Sequence, residues 1–203
     1  MKVREAQIAD LRQVVCIHQK AFRGFFMTDL GPRFLTAYYR AIMAYNHRLF
    51  LLCHDASGSI EGFVAGFHNP NAFYKQLKAK KWHLALCAGS HLAFRPRLWA
   101  RAVVGLRRVR DFAQADMTGV VELASIAVDP DTQGKGIGTV LVHTFLEQAH
   151  RQGARKVYLT TDACNNDPVN AFYQRLGFRL ARQFWQTKSR LMNEYEYIFT
   201  EKD

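Results

Sequence analysis

The stretch from Ser125 to Ala149, SIAVDPDTQGKGIGTVLVHTFLEQA, constrains the fold more than any other part of the chain. Its apolar start is typical of a strand, and Asp129-Pro130 ends that strand because proline cannot donate to a sheet. Three glycines then stand at alternate positions where a helix begins. Such a turn exposes unpaired N–H groups at the positive end of the helix dipole, where phosphate oxygens bind. The stretch predicts a phosphate-binding turn, with a tightly packed structural turn as the alternative.

The glycine spacing excludes two common phosphate-binding loops. The run from Gln133 to Gly138, QGKGIG, is not the G-x-x-x-x-G-K-[ST] pattern of nucleotide triphosphatases. It also differs from G-x-G-x-x-G followed by an acidic residue about twenty positions later. A dinucleotide fold is therefore not predicted.

Strand-like and helical segments alternate along the chain. The runs RLFLLCHD and SIEGFVAGFHN are separated by DASGS, which predicts an antiparallel hairpin. After residue 118 the order is strand, helix, strand, helix, strand, and parallel neighbours need such crossover helices. A chain of 203 residues with 49% hydrophobic residues can bury a substantial core. We predict one α/β domain over 1–203, with a mixed sheet flanked by helices.

Two amphipathic helices are predicted before the hairpin. Ile8, Leu11, Val15 and Phe22 recur at helical spacing and predict the first helix. Gly31-Pro32 marks the start of the second helix, because proline is favoured at the first helical position.

A second motif lies between Asn165 and Phe178, in NNDPVNAFYQRLGF. Tyr173 falls in the middle of a short predicted helix that ends at Gly177, a favoured residue at helix C-termini. A tyrosine in such a helix is more often a core residue than a catalytic one. The motif gains meaning from its position after the glycine turn.

With both motifs in this order, the chain resembles the GCN5-related N-acetyltransferase (GNAT) superfamily. The family's loop, [QR]-x-x-G-x-[GA], is matched by Gln133, Gly136 and Gly138. Its later signature, an asparagine followed seven residues on by tyrosine and then by G-F, is matched by Asn166, Tyr173 and Gly177-Phe178. The resemblance extends from residue 1 to 200 and leaves only 69–118 without a counterpart, as a basic helical insertion between the third and fourth strands.

The resemblance implies acetyl-CoA as cofactor and assigns its binding residues. N–H groups of the glycine loop would hold the pyrophosphate, and the edge of the preceding strand would pair with the pantetheine amides. The implied cofactor-binding residues are Ile126, Ala127, Val128, Gln133, Gly134, Lys135, Gly136, Gly138, Thr139, Asn166 and Tyr173. No metal is implied.

The resemblance also makes Tyr173 the general acid that protonates the departing thiolate. Tyrosine has an ordinary pKa of about 10 and a thiol of about 8.5, so the transfer is uphill by roughly 2 kcal/mol. The transfer stays uphill unless the site lowers the pKa of Tyr173.

The general base is less clear from the sequence. Some family members have a glutamate five residues before the motif asparagine, and Thr161 stands there in this chain. Glu122 is the best acidic candidate, with an ordinary charge at a strand end as the alternative. A lysine-type amine, with a pKa of about 10.4, needs a base, whereas an amine with a pKa near 8 is already about one-tenth deprotonated at pH 7. We therefore expect a less basic acceptor, such as an amino sugar or an α-amino group.

The loop between the first two helices is expected to line the acceptor site, by the family pattern. The substrate-binding residues implied are Phe25, Phe26, Met27 and Asp29. For the two phenylalanines, a buried aromatic cluster is the alternative explanation.

Positive charge is concentrated in the insertion. The chain has a net charge of +11, and 69–118 contains ten lysines and arginines against two aspartates. Arg97, Arg101 and Arg108 share one side of a predicted amphipathic helix. This face is solvated, or binds an anionic acceptor such as a nucleotide-linked amino sugar, or rests on anionic lipid headgroups. No nucleic-acid motif accompanies it, so a specific nucleic-acid partner is not expected.

The remaining composition points to a reducing compartment. Four widely spaced cysteines form neither a C-x-x-C pair nor a metal-ligand pattern. No apolar run reaches the length of a signal peptide or a membrane span. We expect a cytoplasmic protein, either free or peripheral at the inner membrane surface. The sequence does not indicate an oligomeric state.

Together these features predict an N-acyltransferase that moves acetyl from acetyl-CoA to a primary amine of a small molecule in a ternary complex. A covalent route through Cys164 is disfavoured because no base in the sequence is placed to activate it. The alternatives are a protein or peptide α-amino acetyltransferase, and a non-catalytic coenzyme A-binding module that acts through the basic insertion. A peripheral membrane or RNA-binding protein with a vestigial loop is a third hypothesis.

Overall fold

The computed structural model describes residues 1–92 and 117–200. Seven strands within these residues form one sheet in the order β1-β2-β3-β4-β5-β7-β6. The strands are β1 (Lys2–Glu5), β2 (Arg48–His54), β3 (Ile60–His68), β4 (Val120–Val128), β5 (Lys156–Asp162), β6 (Arg179–Thr187) and β7 (Arg190–Ile198). Strands β4 and β5 are parallel, and the other neighbours are antiparallel.

Helices cover both faces of this sheet, and short 3₁₀ turns at Ile8–Asp10 and Pro130–Thr132 precede two of them. The helices are α1 (Leu11–Ala21), α2 (Phe26–Asp29), α3 (Pro32–Met43), α4 (Pro70–Ala79), α5 (Lys81–Leu92), α6 (Ile137–Arg151) and α7 (Asp167–Arg175). The predicted α/β class, with a mixed sheet flanked by helices, is confirmed.

The first part of the predicted insertion is helical, as α4 and α5. Arg97, Arg101 and Arg108 lie outside the described residues. Their basic face therefore stays a prediction.

The sheet has a buried cluster of side chains on each face. Helices α1, α3 and α4 pack on one face, and the buried residues there include Val14, Leu35, Tyr39, Ile42, Phe50, Phe63 and Phe73. Helices α6 and α7 pack on the other, with Leu51, Val64, Val121, Leu141, Phe145, Tyr173 and Tyr195. The central strands are thus buried on both faces, which explains their nearly continuous apolar sequence.

The first predicted helix begins later than its apolar pattern indicated. The prediction was wrong for Ile8, which is 63% exposed in the 3₁₀ turn before α1. The Asp10 carboxylate accepts a hydrogen bond from the Gln7 N–H (2.7 Å) and is held by Arg4, so a local capping interaction sets this boundary. The start of α3 at Pro32, after Gly31 with φ 89°, is confirmed.

The two parallel strands in the middle of the sheet separate after three residue pairs. Val120–Glu122 of β4 pair with Lys156–Tyr158 of β5, although β4 continues to Val128 and β5 to Asp162. On its other side β4 remains paired with β3 as far as Val128. A gap therefore opens between β4 and β5, and one edge of each strand is left without a partner strand there.

A β-bulge lies where the strands separate. The β3–β4 register changes from Ala65 opposite Ser125 to Gly66 opposite Leu123, which leaves Ala124 as an extra residue. Bulges bend a strand and increase its local twist. The bulge thus favours the turning of β4 away from β5.

Gly66 is required at this bulge. A Cβ atom there would lie 2.6 Å from the Phe145 ring and against the Glu122 carbonyl oxygen, and the carbonyl cannot move without breaking the β3–β4 pairing. We expect Gly66→Ala to lower the free energy of unfolding by about 1–3 kcal/mol, the usual cost of overpacking. Urea unfolding followed by circular dichroism measures this change.

Gly89→Ala in α5 is the matched control. No heavy atom lies within 4 Å of its Cβ position, and alanine favours a helix over glycine by about 0.5–1 kcal/mol. This variant should be as stable as wild type or slightly more so. Equal stability of the two variants would show that Gly66 is not required by packing.

Candidate functional site

The glycine loop joins β4 to α6 and presents free N–H groups. Gly134 and Gly136 have φ values of 85° and 77°, a region that favours glycine. Gly136 is the N-cap of α6, and none of the described side chains caps this helix. No atom lies within 4 Å of a Cβ position at either glycine. The first turn of a fifteen-residue helix therefore faces open space, which suits an anion such as a pyrophosphate.

Two lysines hold this loop in place. Lys135 Nζ lies 3.0 Å from the buried carboxylate of Glu61 on β3, whose carbonyl oxygen also accepts the Asp129 N–H (2.7 Å). Lys20 of α1 pairs with Asp129 and Asp131, each at 2.9 Å, and these hydrogen bonds raise the pKa of its ammonium group. Lys135 is one of the predicted cofactor-binding residues, and its ammonium group is already paired with Glu61. No motif in the sequence predicted a role for Lys20.

The predicted strand edge continues directly into this loop. On one side Ile126, Ala127 and Val128 pair with Val64, Phe63 and Gly62 of β3. Their opposite edge faces the gap and has no partner among the described strands. The structure therefore brings the predicted pantetheine-binding edge and the predicted pyrophosphate loop into one continuous surface.

Asn166 lies across the gap, at the start of α7. Its amide donates to Thr161 Oγ1 (2.8 Å) and to the Asp162 carbonyl oxygen (3.1 Å), and Asn170 donates to the same carbonyl (3.1 Å). These bonds satisfy the Asp162 carbonyl oxygen at the end of β5, where β5 is no longer paired with β4. Thr161 accepts the Asn166 amide and cannot serve as a base.

Tyr173 lies in α7 within the aromatic cluster on the α6 face. The ring centroids of Phe172, Phe178 and Tyr195 are 5.3, 5.7 and 6.2 Å away. Burial among apolar side chains raises the pKa of Tyr173, so the packing of this ring does not supply the lowering that would ease proton transfer to a thiolate. The hydroxyl stays protonated and can donate a hydrogen bond.

Glu122 lies at the point where β4 and β5 separate. Its side chain is buried, and its two oxygens accept hydrogen bonds from Tyr74 Oη (2.9 Å) and Tyr158 Oη (2.7 Å). Glu122 is therefore not exposed to solvent, and its role as the base stays a prediction. Two hydroxyl donors hold this carboxylate beside the gap.

The predicted acceptor loop meets the β6–β7 hairpin. Phe25 is 42% exposed, and the Arg190 guanidinium lies 5.7 Å from its ring centroid. Arg190 also binds Asp162 at the end of β5 with two hydrogen bonds, of 2.6 and 3.0 Å. The buried-cluster explanation is wrong for Phe25, whose exposed ring packs edge-on against Phe22 at a centroid distance of 5.5 Å. The sequence analysis did not identify Arg190 or Asp162, because nothing local marks a pair 28 residues apart.

The other three predicted acceptor residues follow Phe25 directly in the sequence. Phe26, Met27 and Asp29 belong to α2, and Met27 packs against the cluster of α1 and α3. Their role in acceptor binding stays a prediction.

Three polar side chains, two of them buried and one half-buried, form a hydrogen-bond chain on the face of the sheet that α1 and α3 cover. His18 Nδ1 of α1 lies 2.6 Å from Tyr39 Oη of α3, which lies 3.0 Å from Ser125 Oγ on β4. His18 is 4% exposed, and its Nε2 has no partner among the described residues. Burial lowers the pKa of His18 from 6.5 to about 4, so the imidazole is neutral at physiological pH.

His18 should make stability depend on pH. The unfolded chain takes up a proton on His18 near pH 6.5 and the folded chain near pH 4, so this contribution is complete above pH 6.5 and is lost as the pH falls to 4. We expect wild type to lose about 2–3 kcal/mol more than His18→Gln between pH 7 and pH 4. Urea unfolding at several pH values measures the difference. Parallel pH profiles for the two proteins would contradict a buried neutral His18.

Within 1–92 and 117–200, no group of three or more His, Cys, Asp or Glu side chains is arranged to hold a metal ion. Cys16, Cys53, Cys87 and Cys164 are free thiols. None of the described helices has both the length and the apolar character needed to cross a membrane.

A protein-family model and a curated sequence both match this chain. The family model described as "Acetyltransferase (GNAT) family" matches residues 12–178. A segment of 59 residues is 44% identical to an uncharacterized N-acetyltransferase of Methanocaldococcus jannaschii. This segment covers 29% of the chain and spans about a quarter (26%) of the relative's length.

Solved structures of similar shape cover nearly the whole chain. A ribosomal-protein-alanine N-acetyltransferase from Brucella melitensis has a TM-score of 0.65 at 15% identity, covering 98% of this chain and 100% of its own. Ard1 from Thermoplasma volcanium has a TM-score of 0.62 at 16% identity, covering 98% of each chain. The ribosomal-protein-S18-alanine N-acetyltransferase of Escherichia coli has a TM-score of 0.60 at 15% identity, covering 97% and 92%. At these identities the likeness shows a shared fold.

Proposed function

The chain belongs to the acetyltransferase (GNAT) family, and on this premise we propose that it transfers acetyl from acetyl-CoA to a primary amine of a small molecule, in a direct ternary complex. The acceptors that suit the site are an amino sugar, a nucleotide-linked amino sugar or another amine of low basicity. One observation carries the proposal: the gap between β4 and β5 leads directly to the uncapped first turn of α6.

The residues along this gap suit an extended phosphate-bearing ligand. An unpaired strand edge can hydrogen-bond an added chain of amides, as in strand addition by peptides. The edge at Ile126–Val128 would hold the pantetheine amides, with Asn166 facing them from α7. The N–H groups from Gly134 to Thr139 would hold the pyrophosphate, and the exposed Gln133 side chain lies at the start of this loop.

When bound, acetyl-CoA supplies an acetyl thioester whose acyl carbon the amine attacks while the coenzyme's thiolate departs. An N–H group on the free edge of β4 would donate to the oxygen that gains negative charge. The loss of such a donor in other enzymes costs about a hundredfold or more in rate.

Tyr173 would donate a hydrogen bond to the departing sulfur. Because burial raises the pKa of Tyr173, complete proton transfer to a thiolate is more uphill than the ordinary values imply. A hydrogen bond from a hydroxyl that stays protonated still stabilises the developing negative charge. The tyrosine would thus act mainly as a donor, and the thiolate would take its proton from Tyr173 or from water.

Glu122 would receive the proton that the amine loses. Each carboxylate oxygen has two lone-pair sites, so the bonds from Tyr74 and Tyr158 leave room for a water or the amine itself. With Thr161 at the other candidate position, Glu122 is the acidic side chain nearest the point where the strands separate. It would return the proton to solvent after release of the amide.

A protein or peptide α-amino group is the second candidate acceptor. Thr161 stands where some family members have a glutamate base, and the lack of that base favours any amine of low basicity. An α-amino group, like an amino sugar, is such an amine, because its ordinary pKa of about 7.7–8.0 means that it needs little help to lose its proton. Two of the proteins of similar fold are described as ribosomal-protein-alanine N-acetyltransferases. Turnover of peptides with free N-termini, compared with amino sugars, separates the two candidates.

Thermal unfolding with acetyl-CoA tests cofactor binding. At about 100 times the dissociation constant a ligand adds roughly 2.7 kcal/mol, which raises the Tm of a domain of this size by about 5–10 °C. We expect this shift with acetyl-CoA and with free coenzyme A, and a smaller one with adenosine diphosphate. A cooperative transition that none of the three ligands moves would mean that the glycine loop is structural.

Tyr173→Phe should separate binding from turnover. We expect kcat to fall about a hundredfold or more, because a donor to the leaving group is lost, while the Tm shift with acetyl-CoA persists. Wild-type kcat should show no loss from tyrosine ionisation below about pH 10, since burial raises the pKa of Tyr173.

The matched control is Tyr195→Phe, which removes a hydroxyl from a neighbouring buried ring. It should retain turnover. If Tyr173→Phe turns over like wild type, Tyr173 is a packing residue and has no part in the reaction.

A further inference from the structure

The bulge in β4 turns Ser125 toward the helices. Ala124 packs against the cluster formed by α1 and α3, and the next residue, Ser125, bonds Tyr39 of α3. Two consecutive residues therefore face the same side of the sheet, where regular alternation would send them to opposite sides. Ser125 lies three residues beyond Glu122, on the part of β4 that faces the gap.

The burial of His18 indicates in which direction hydrogen bonds are donated along His18, Tyr39 and Ser125. A neutral imidazole has one N–H, and His18 Nε2 is buried without a partner among the described residues. Buried N–H groups without an acceptor are rarer than buried acceptors without a donor. The unpartnered Nε2 thus favours a hydrogen on Nδ1, donated to Tyr39 Oη. In that arrangement Tyr39 uses its own hydrogen for the bond to Ser125 Oγ.

This direction leaves the hydrogen of Ser125 unused by the chain. A hydroxyl has one donor and two acceptor sites, and Tyr39 occupies one acceptor site of Ser125. Ser125 is half-buried beside the gap, whereas His18 and Tyr39 are inaccessible to solvent. The accessible end of the chain is thus an oriented hydrogen-bond donor on the face that α1 and α3 cover.

From this arrangement we infer that Ser125 donates a hydrogen bond to an oxygen atom on the carbon adjacent to the amine-bearing carbon of the acceptor, and that His18 and Tyr39 are positioning residues for it. The inference rests on the proposed function. It makes Ser125 a specificity residue for amines that carry a neighbouring carbonyl or hydroxyl oxygen. Amino sugars and α-amino groups both have this oxygen, whereas a lysine side chain or a simple alkylamine does not.

Two matched pairs of acceptors test this role. Alaninamide has a carboxamide on its amine-bearing carbon where isopropylamine has a methyl group. Glucosamine, a polar ring, has hydroxyls on both carbons adjacent to its amine-bearing carbon, and cyclohexylamine has none. For Ser125→Ala, we expect the kcat/KM ratio within each pair to fall about five- to tenfold, the effect of one lost hydrogen bond. The KM for acetyl-CoA should not change. Differences in amine pKa cancel because the same ratio is compared between wild type and variant.

The positioning residues are tested through Ser125. Tyr39→Phe should lower the same ratios, and adding it to Ser125→Ala should have no further effect on them, because Tyr39 acts on the acceptor only by orienting the Ser125 hydroxyl. Tyr45→Phe is the matched control, since it removes another tyrosine hydroxyl bond, to the His68 carbonyl (3.1 Å), away from Ser125. It should leave the ratios unchanged.

The direction of donation along the His18–Tyr39–Ser125 hydrogen bonds can be tested without measuring turnover. Nitrogen-15 NMR of His18 should show a neutral ring with the hydrogen on Nδ1 at pH 7. A hydrogen on Nε2, or an equal loss of kcat/KM for all four amines in Ser125→Ala, would overturn the role of Ser125 while leaving acetyl transfer intact. Acetylation of none of the four amines by wild type, despite binding of acetyl-CoA, would instead overturn the proposed acceptor class and the contact that rests on it.

Discussion

The separation of β4 from β5 is the constraint on which the rest of the site depends. Two parallel strands at the centre of a sheet would ordinarily pair along their whole length, because buried N–H and C=O groups need partners. Here the ladder stops after Val120–Glu122. The bulge at Ala124 bends β4, and Asn166 and Asn170 satisfy the Asp162 carbonyl at the end of β5. The strand edge that remains is available to a ligand.

Acidic side chains around the glycine loop are paired within the protein. Glu61, Asp129 and Asp131 would repel a pyrophosphate if they were unpaired. Lys135 and Lys20 offset two of these three negative charges and fix the loop to β3 and to α1. Backbone N–H groups at the start of α6 are then the donors that an anion meets, and their positions do not depend on flexible side chains.

Helix α1 connects the two sides of the site. Its last turns carry His18, which reaches Ser125 through Tyr39, and Lys20, which holds the acidic residues before the glycine loop. The chain then continues to Phe25, which meets Arg190 of the β6–β7 hairpin. Helix α1 and the residues that follow it therefore contact the glycine loop, the β4 face and the β6–β7 hairpin.

The sequence alone determined the features that depend on neighbouring residues. The strand before Asp129, the positive-φ glycines, the start of α6 and the helix around Tyr173 follow from local backbone preferences, and together they indicated the family and the α/β fold. Tertiary structure decided the contacts between distant residues: Lys135 with Glu61 (74 positions apart), Lys20 with Asp129 (109 apart), and Tyr39 with Ser125 (86 apart). It also decided that the pKa of Tyr173 rises and that Phe25 is exposed. These outcomes depend on which side chains pack together across the sheet, and no local pattern in the chain encodes that.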